Sequence, residues 1–223
     1  MLTDDAFWLF HDDRSGRSRI PARLVGIALA ATVLAELSSE GLLEVTADSV
    51  RRIRPGAAVR TATSPVRLLA PADPLGSVAA EVVARVAAEP GSHPLRDWIT
   101  VLAQDSVGLI GGRMVATGIA VERTVRRGLR REVVFLPVDP IAAAWPAARL
   151  STGVRGHRWL EPADVFLLGL AAATPLGADL LVDAPPQMRE TALARVDDLP
   201  GSWRVLLETT RVAVASGVMT LRT

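Results

Sequence analysis

The sequence predicts a mostly α-helical fold: a bundle-like helical core with a projecting β-hairpin and one or two short strands. Three observations lead there. Residues 24–35 and 165–178 are uncharged runs too long for typical strands, and helices apolar on every side belong at the centre of a core. Several other segments repeat apolar residues at helical spacing. Only one pair of segments, 119–125 and 129–138, has the length and composition of paired strands.

The elements follow in order. Leu24, Ile27, Ala31 and Leu34 form one helical stripe and Val25, Leu29, Val33 and Leu37 another, with Gly41 as the stop. Residues 42–46 and 50–53 read as short strands. From 73 to 88 a helix turns Val78, Val82 and Val86 inward, with Glu81, Arg85 and Glu89 repeating every four residues on its solvated side. Pro94 opens a helix that buries Trp98, Val101 and Leu102. The hairpin at about 119–138 turns at Arg126-Arg127-Gly128. Residues 164–173 form the second central helix. Pro185-Pro186 precedes a short helix through Val196, and the last helix aligns Trp203, Leu206, Leu207, Thr210 and Val214 before ending at Gly217. No repeat or linker divides the chain, so residues 1–223 read as a single domain.

Composition narrows the function. The chain is 49% hydrophobic and 22% charged, with a net charge of +1, so no global field draws it to nucleic acid or acidic lipid. It has no Cys, hence no thiolate nucleophile and no Cys-based zinc site. Every one of the 25 basic residues is Arg, which removes the phosphate-loop lysine and Schiff-base chemistry. There is no Tyr. The uncharged runs fall short of the roughly 18–20 apolar residues that span a bilayer. The acidic start, Met1 to Asp5, lacks the basic region of a signal peptide. The expected location is the cytoplasm, with peripheral contact at the inner face of the cell membrane.

Candidate chemistry is sparse. His11-Asp12-Asp13 are consecutive, and adjacent side chains rarely converge on one metal, so Asp12 and Asp13 read as braces of a turn with Arg14 and Arg17. His93 and His157 lie in Pro- or Gly-flanked contexts. Gly108, Gly111 and Gly112 follow no strand and read as close helix packing rather than a phosphate cradle. No catalytic residue, metal ligand or cofactor is assigned, and the protein is expected to be no enzyme. Of five tryptophans, Trp98 and Trp203 sit on apolar stripes, while Trp145 and Trp159 flank Pro- and Gly-rich turns. Between Val121 and Glu132 five arginines face two glutamates. That ribbon reads as a solvated edge, as a wing against DNA phosphates, or as an arm toward a partner subunit or an anionic membrane.

Asp13-Arg14-Ser15-Gly16, running without gaps to Val33-Leu34-Ala35-Glu36-Leu37 and Gly41-Leu42, resembles the Golgi-phosphoprotein-3-like family. Segments 71–86, 96–99 (Arg96-Asp97-Trp98-Ile99), 115–119 and 166–173 extend the resemblance in order. It implies a helical domain with a projecting hairpin, acting as a peripheral membrane adaptor that binds phosphatidylinositol 4-phosphate and protein clients. It also implies that the hairpin serves in homo-oligomer and membrane contact. The family's head-group positions fall on Pro21 and Ala30, and near Gln104 and Val107, none of which matches the family's Trp and Arg residues. The expectation is therefore a weaker, less selective contact with anionic lipid. Arg14, Arg17, Arg19 and Arg23 are assigned to the head group, and Arg126, Arg127, Arg130 and Arg131 to membrane or oligomer contact. A DNA-associated regulator and a protein-interaction scaffold are the alternatives.

Overall fold

A computed structural model describes residues 1–53, 76–89, 91–128, 130–156 and 159–220. It is mostly helical, with two two-stranded antiparallel sheets among the described residues. The helix α1 (Leu2–Phe10) and the long α2 (Ala22–Ser39) lie at its centre. Nearly every side chain of α2 from Leu24 to Leu37 is buried. Its end follows from Gly41, at φ +72°, with Leu42 N donating to Leu37 O at 2.9 Å and Gly41 N to Ser38 O at 3.2 Å. These two bonds satisfy the last carbonyls in the glycine-terminated pattern read from the sequence.

At 18 residues and a mean hydropathy of 1.5, α2 is long and apolar enough to cross a membrane, although its uncharged stretch is shorter. Within the fold 72% of it is buried, as in a core helix. The second apolar helix, α7 (Pro162–Ala172), is buried over most of its length and packs on α1. The last helix, α10 (Gly201–Thr220), lies along α2 and carries Trp203, whose Nε1 donates to Ala35 O and Ser39 Oγ, each at 3.1 Å. It runs past Gly217 because that glycine is helical, and its missing side chain lets α10 approach Leu24 of α2.

The short strands are β1 (Leu43–Val45) and β2 (Val50–Arg52). The helix α3 (Ser77–Ala88) buries Val78, Val82 and Val86, while Arg85 pairs with Glu81 and Asp105 at 2.8 and 2.9 Å. The earlier start expected for this helix, at 73–75, lies outside the described residues. In α4 (Leu95–Leu102) the inward face is Leu95, Trp98, Ile99 and Leu102. Val101 is 49% exposed, contrary to expectation, because that spacing rotates it away from the core. Then α5 (Ser106–Ala116) leads into β3 (Ala120–Arg127) and β4 (Arg130–Pro137).

The strand register pairs Arg126 with Arg131 and Arg127 with Arg130. Arg126 and Arg127 are therefore strand residues rather than turn residues. A tight connection through Gly128, at φ +60°, suits the right-handed twist of the strands. The base of the hairpin is docked on the helices. Phe135 meets Phe7 edge-on at 5.9 Å and lies over Gly111, where any side chain would collide with its ring. The glycines of α5 thus include one that serves close packing.

Three helices were not read from the sequence: α1, α6 (Pro140–Arg155) and the short α8 (Leu176–Leu180). The start of α6 is capped by Asp139, which accepts from Ile141 N at 2.9 Å and Ala142 N at 3.2 Å, with Pro140 in the first turn. The remaining helix, α9 (Pro186–Ala194), follows Pro185 as expected and continues into a 3₁₀ turn over Arg195–Asp198.

The position of α1 is fixed by charge. Arg113 of α5 pairs with Asp4, and Thr3 donates to Glu36 of α2. Arg149 of α6 bridges Asp5 at 2.8 Å and the buried Asp164 of α7 at 2.6 Å. Removing the arginine from such a group leaves a buried carboxylate without its partner, which is costly. Arg149→Met is expected to lower unfolding free energy by about 2–4 kcal/mol, read from the urea midpoint. Arg211→Ala, which breaks only the exposed pair with Glu208, should leave that midpoint nearly unchanged.

Candidate functional site

The chain between α1 and α2 folds back on itself. Arg19 N donates to Phe10 O at 2.9 Å, Asp12 N to Arg17 O at 2.8 Å, and Gly16 N to Asp12 O at 2.8 Å. Asp12 Oδ1 accepts from the hydroxyl of Ser15 at 2.7 Å and from its amide at 2.8 Å, and these bonds hold its carboxyl below the usual range. Asp13 pairs with Arg19 at 3.6 Å, and Arg19 Nε donates to His11 O at 3.0 Å. The turn is braced as anticipated, but by Ser15 and Arg19 in place of Arg14 and Arg17. Gly16, at φ +66°, brings the turn against the backbone of Phe135 and the side chain of Val134.

Beside this turn lies a cavity of about 650 Å³. Its walls come from the turn, the start of α2, the α4–α5 junction, β4 and the last turns of α10. Arg23, Arg96, Gln104 and Glu132 supply polar groups, and His11 and Val107 also line it. Among the described residues, neither Arg23 nor Arg96 has an ion-pair partner. One oxygen of Glu132, Oε2, is shielded from solvent and has no hydrogen-bond partner among the described residues. A second depression of about 350 Å³, lined by Arg17, Arg19 and Pro21, shares Ser18, Ala22 and Glu132 with the first.

The structure thus places Arg23 on the larger depression and Arg17 and Arg19 on its neighbour, with Arg19 also tied to Asp13 and His11. Arg14 is exposed and lines neither part. Of the four residues that the resemblance aligned with the head-group site, Gln104 and Val107 line the cavity and Pro21 its neighbour, whereas Ala30 is buried in the core. Arg126 and Arg131 are exposed beyond the docked base of the hairpin. Arg127 and Arg130 occupy the last paired register position before the turn.

Sequence reasoning missed Arg96 as a site residue. The signal was present: Arg96 and Thr100 lie four residues apart on the exposed side of α4, in step with Gln104 just beyond its end. It also counted Glu132 only as a counter-charge in the hairpin. Trp98 and Trp203 are buried as expected, whereas Trp145 is 58% and Trp159 76% exposed. The guanidinium of Arg195 stacks 3.9 Å over the Trp159 ring. His93 lies 3.3 Å from Glu89, and His157 is outside the described residues. Among the described residues no three His, Asp or Glu side chains gather as metal ligands.

The fold and this depression define a helical protein with a docked, arginine-tipped hairpin beside a cation-lined cavity. The sequence model of the Golgi phosphoprotein 3 (GPP34) family matches residues 2–215, and the chain belongs to that family. It is a family of non-enzymatic adaptor and lipid-binding proteins. No curated protein matches the sequence.

His11 ties the cavity to pH. Its ring stacks on Phe7 at 4.1 Å, and Nδ1 donates to Phe7 O at 2.7 Å. Burial pushes its pKa down from 6.5 to about 4, with Arg19 lowering it further and the Phe7 carbonyl opposing. Between those two values the unfolded chain carries the proton and the folded chain does not. Stability should therefore fall as pH drops from about 6.5 to 4, by up to about 3 kcal/mol from this residue. Denaturation midpoints across that window should be flatter for His11→Gln than for the parent protein.

Proposed function

We propose that this protein is a non-enzymatic peripheral membrane protein that meets anionic lipid through the hairpin arginines and the cationic depression beside them. The observation that carries this reading is the hairpin register. Arg126 stands opposite Arg131 and Arg127 opposite Arg130, so two like-charged cross-strand pairs adjoin the turn. Such pairs destabilise an isolated sheet. An anionic surface reverses that penalty, with each arginine near it contributing about 1 kcal/mol. Arg23 on the larger depression, Arg17 and Arg19 on its neighbour and Arg14 on the adjoining turn add positive charge near the docked base of the hairpin. Family membership supports lipid and protein partners of this general kind. Pro21, Ala30, Gln104 and Val107, in place of the family's head-group residues, favour attraction by charge over the family's phosphoinositide-specific mode. The hairpin remains the proposed site of any contact with a second copy or a protein client.

Flotation with vesicles tests this reading. The protein should float with vesicles containing an anionic lipid and stay behind with phosphatidylcholine alone, and binding should weaken as salt rises. Replacing Arg126, Arg127, Arg130 and Arg131 together with Gln should cut vesicle affinity by at least about tenfold, a small fraction of the charge contribution. A gel shift with random duplex DNA at low salt is the counter-test. Retention of duplex without flotation would establish the DNA-associated alternative, and binding to neither would leave only the scaffold role.

A further inference from the structure

We propose that a second copy of this chain docks on α6, with the two α6 helices antiparallel about a two-fold axis between Trp145 and Ala148. This rests on the second-copy contact raised above and moves it from the arginine tip of the hairpin to the helix that leaves its base.

The first observation is a helix face without a partner. On one side α6 buries Ala143, Pro146, Leu150, Gly153 and Val154. The other side of such a helix ordinarily carries charge. Here it presents Ile141, Ala142, Ala144, Trp145, Ala148 and Thr152, all exposed and none charged. Ile141 is 81% exposed, and Val138, just before the helix, 59%. Of the two charged residues in α6, Arg149 is committed inward to Asp5 and Asp164, and Arg155 closes the last turn. The helix is therefore apolar nearly all round and covered on one side. At its start Pro140 has no amide hydrogen, and the amides of Ile141, Ala142 and Ala143 all donate to Asp139. That end can be covered without orphaning a backbone donor.

The second observation is spacing. Val138, Ile141, Trp145, Ala148, Thr152 and Arg155 follow one another at steps of three, four, three, four and three residues. Such steps form the seam along which one helix packs on another. The order of sizes sets the direction. Along the seam the large Ile141 and Trp145 come first, and the smaller Ala148 and Thr152 follow. A parallel pair in register sets Trp145 on Trp145 and Ala148 on Ala148, crowding one level and emptying the next. Reversing one copy sets Ile141 against Thr152 and Trp145 against Ala148, large on small at every level. A two-fold contact makes each pairing twice, so one stripe serves both copies.

Charge agrees with the reversal. Asp139 precedes the helix and Arg155 ends it, and neither has an ion-pair partner among the described residues. The antiparallel arrangement brings the Arg155 end of each copy to the Asp139 end of the other. The hairpin tip, by contrast, offers a second copy arginine against arginine. A bilayer reads no register, and it gains little from Ala148 and Thr152. Val138, Ile141 and Trp145 present apolar area on the order of 400 Å² per copy, the centre of an interface of roughly 800 Å² per partner.

Sedimentation of the full chain over a concentration series should show a monomer–dimer equilibrium. Trp145→Ala should raise the dissociation constant at least about tenfold, as loss of a central tryptophan does, and Ile141→Asp should leave a monomer. Both changes fall on exposed side chains, so the urea midpoints should stay near that of the parent protein. Cross-linking reads the register, because in a chain without cysteine each introduced thiol is unique. Ile141→Cys and Thr152→Cys chains, mixed, should be joined by a short bis-maleimide. Neither should be joined alone, since its own two thiols lie about 16 Å apart along the antiparallel pair. Cross-linking of either variant alone would overturn the antiparallel pairing. A chain that stays monomeric at about 100 μM would overturn the dimer. A dimer that survives Trp145→Ala but is lost on replacing Arg126, Arg127, Arg130 and Arg131 with Gln would return the contact to the hairpin and overturn this one. Loss of vesicle flotation with Trp145→Ala, in a chain that is monomeric throughout, would give the face to lipid and overturn it as well.

Discussion

The acidic first turn of α1 is the constraint on which the rest of the molecule depends. Asp4 and Asp5 lie at the positive end of that helix, where carboxylates are favoured. Each is also held by an arginine from a different helix, Arg113 of α5 and Arg149 of α6, and Arg149 continues to Asp164 of α7. Thr3 completes the set through Glu36 of α2. Four helices are thereby oriented around one short segment whose Ala6, Phe7, Trp8, Leu9 and Phe10 are all buried. Phe7 then supports both the His11 ring and Phe135 of the hairpin. The cavity wall on that side is set by charges at the opposite end of α1.

The legibility of the sequence follows the kind of signal each element carries. Helices buried on every side, α2 and α7, announce themselves by long uncharged runs, and α10 by its regular apolar stripe. The hairpin was visible in its length, its composition and its glycine, though the turn was read as including Arg126 and Arg127, which are paired strand residues. By contrast, α1 was hidden because it is short and its two arginine anchors lie over a hundred residues away. The helix α6 was hidden by Pro146 in its interior and by exposed apolar residues such as Trp145. Its true mark, Asp139 before Pro140, is a cap rather than a stripe.

The site was legible in part for the same reason. Arginines clustered in one stretch, 14–23, drew attention as a group, and three of the four line two neighbouring depressions. What a linear reading cannot supply is the opposite wall. Arg96 and Glu132 are separated from that stretch by about 75 and 110 residues, and the close packing of Gly26 on Ala103 and of Gly16 and Gly111 on Phe135 brings the walls together. Family resemblance had drawn attention to Gln104 and Val107, and both line the larger depression.

The exclusive use of arginine has a consequence for control. An amine can be silenced by acetylation, and its charge thins as alkalinity rises; a guanidinium keeps its proton throughout the physiological range. The basic rim of this protein consequently offers no lysine to an acetyltransferase. On the proposed membrane reading, lysine acetylation cannot tune the contact, and control falls to the composition of the bilayer or the ions that shield it.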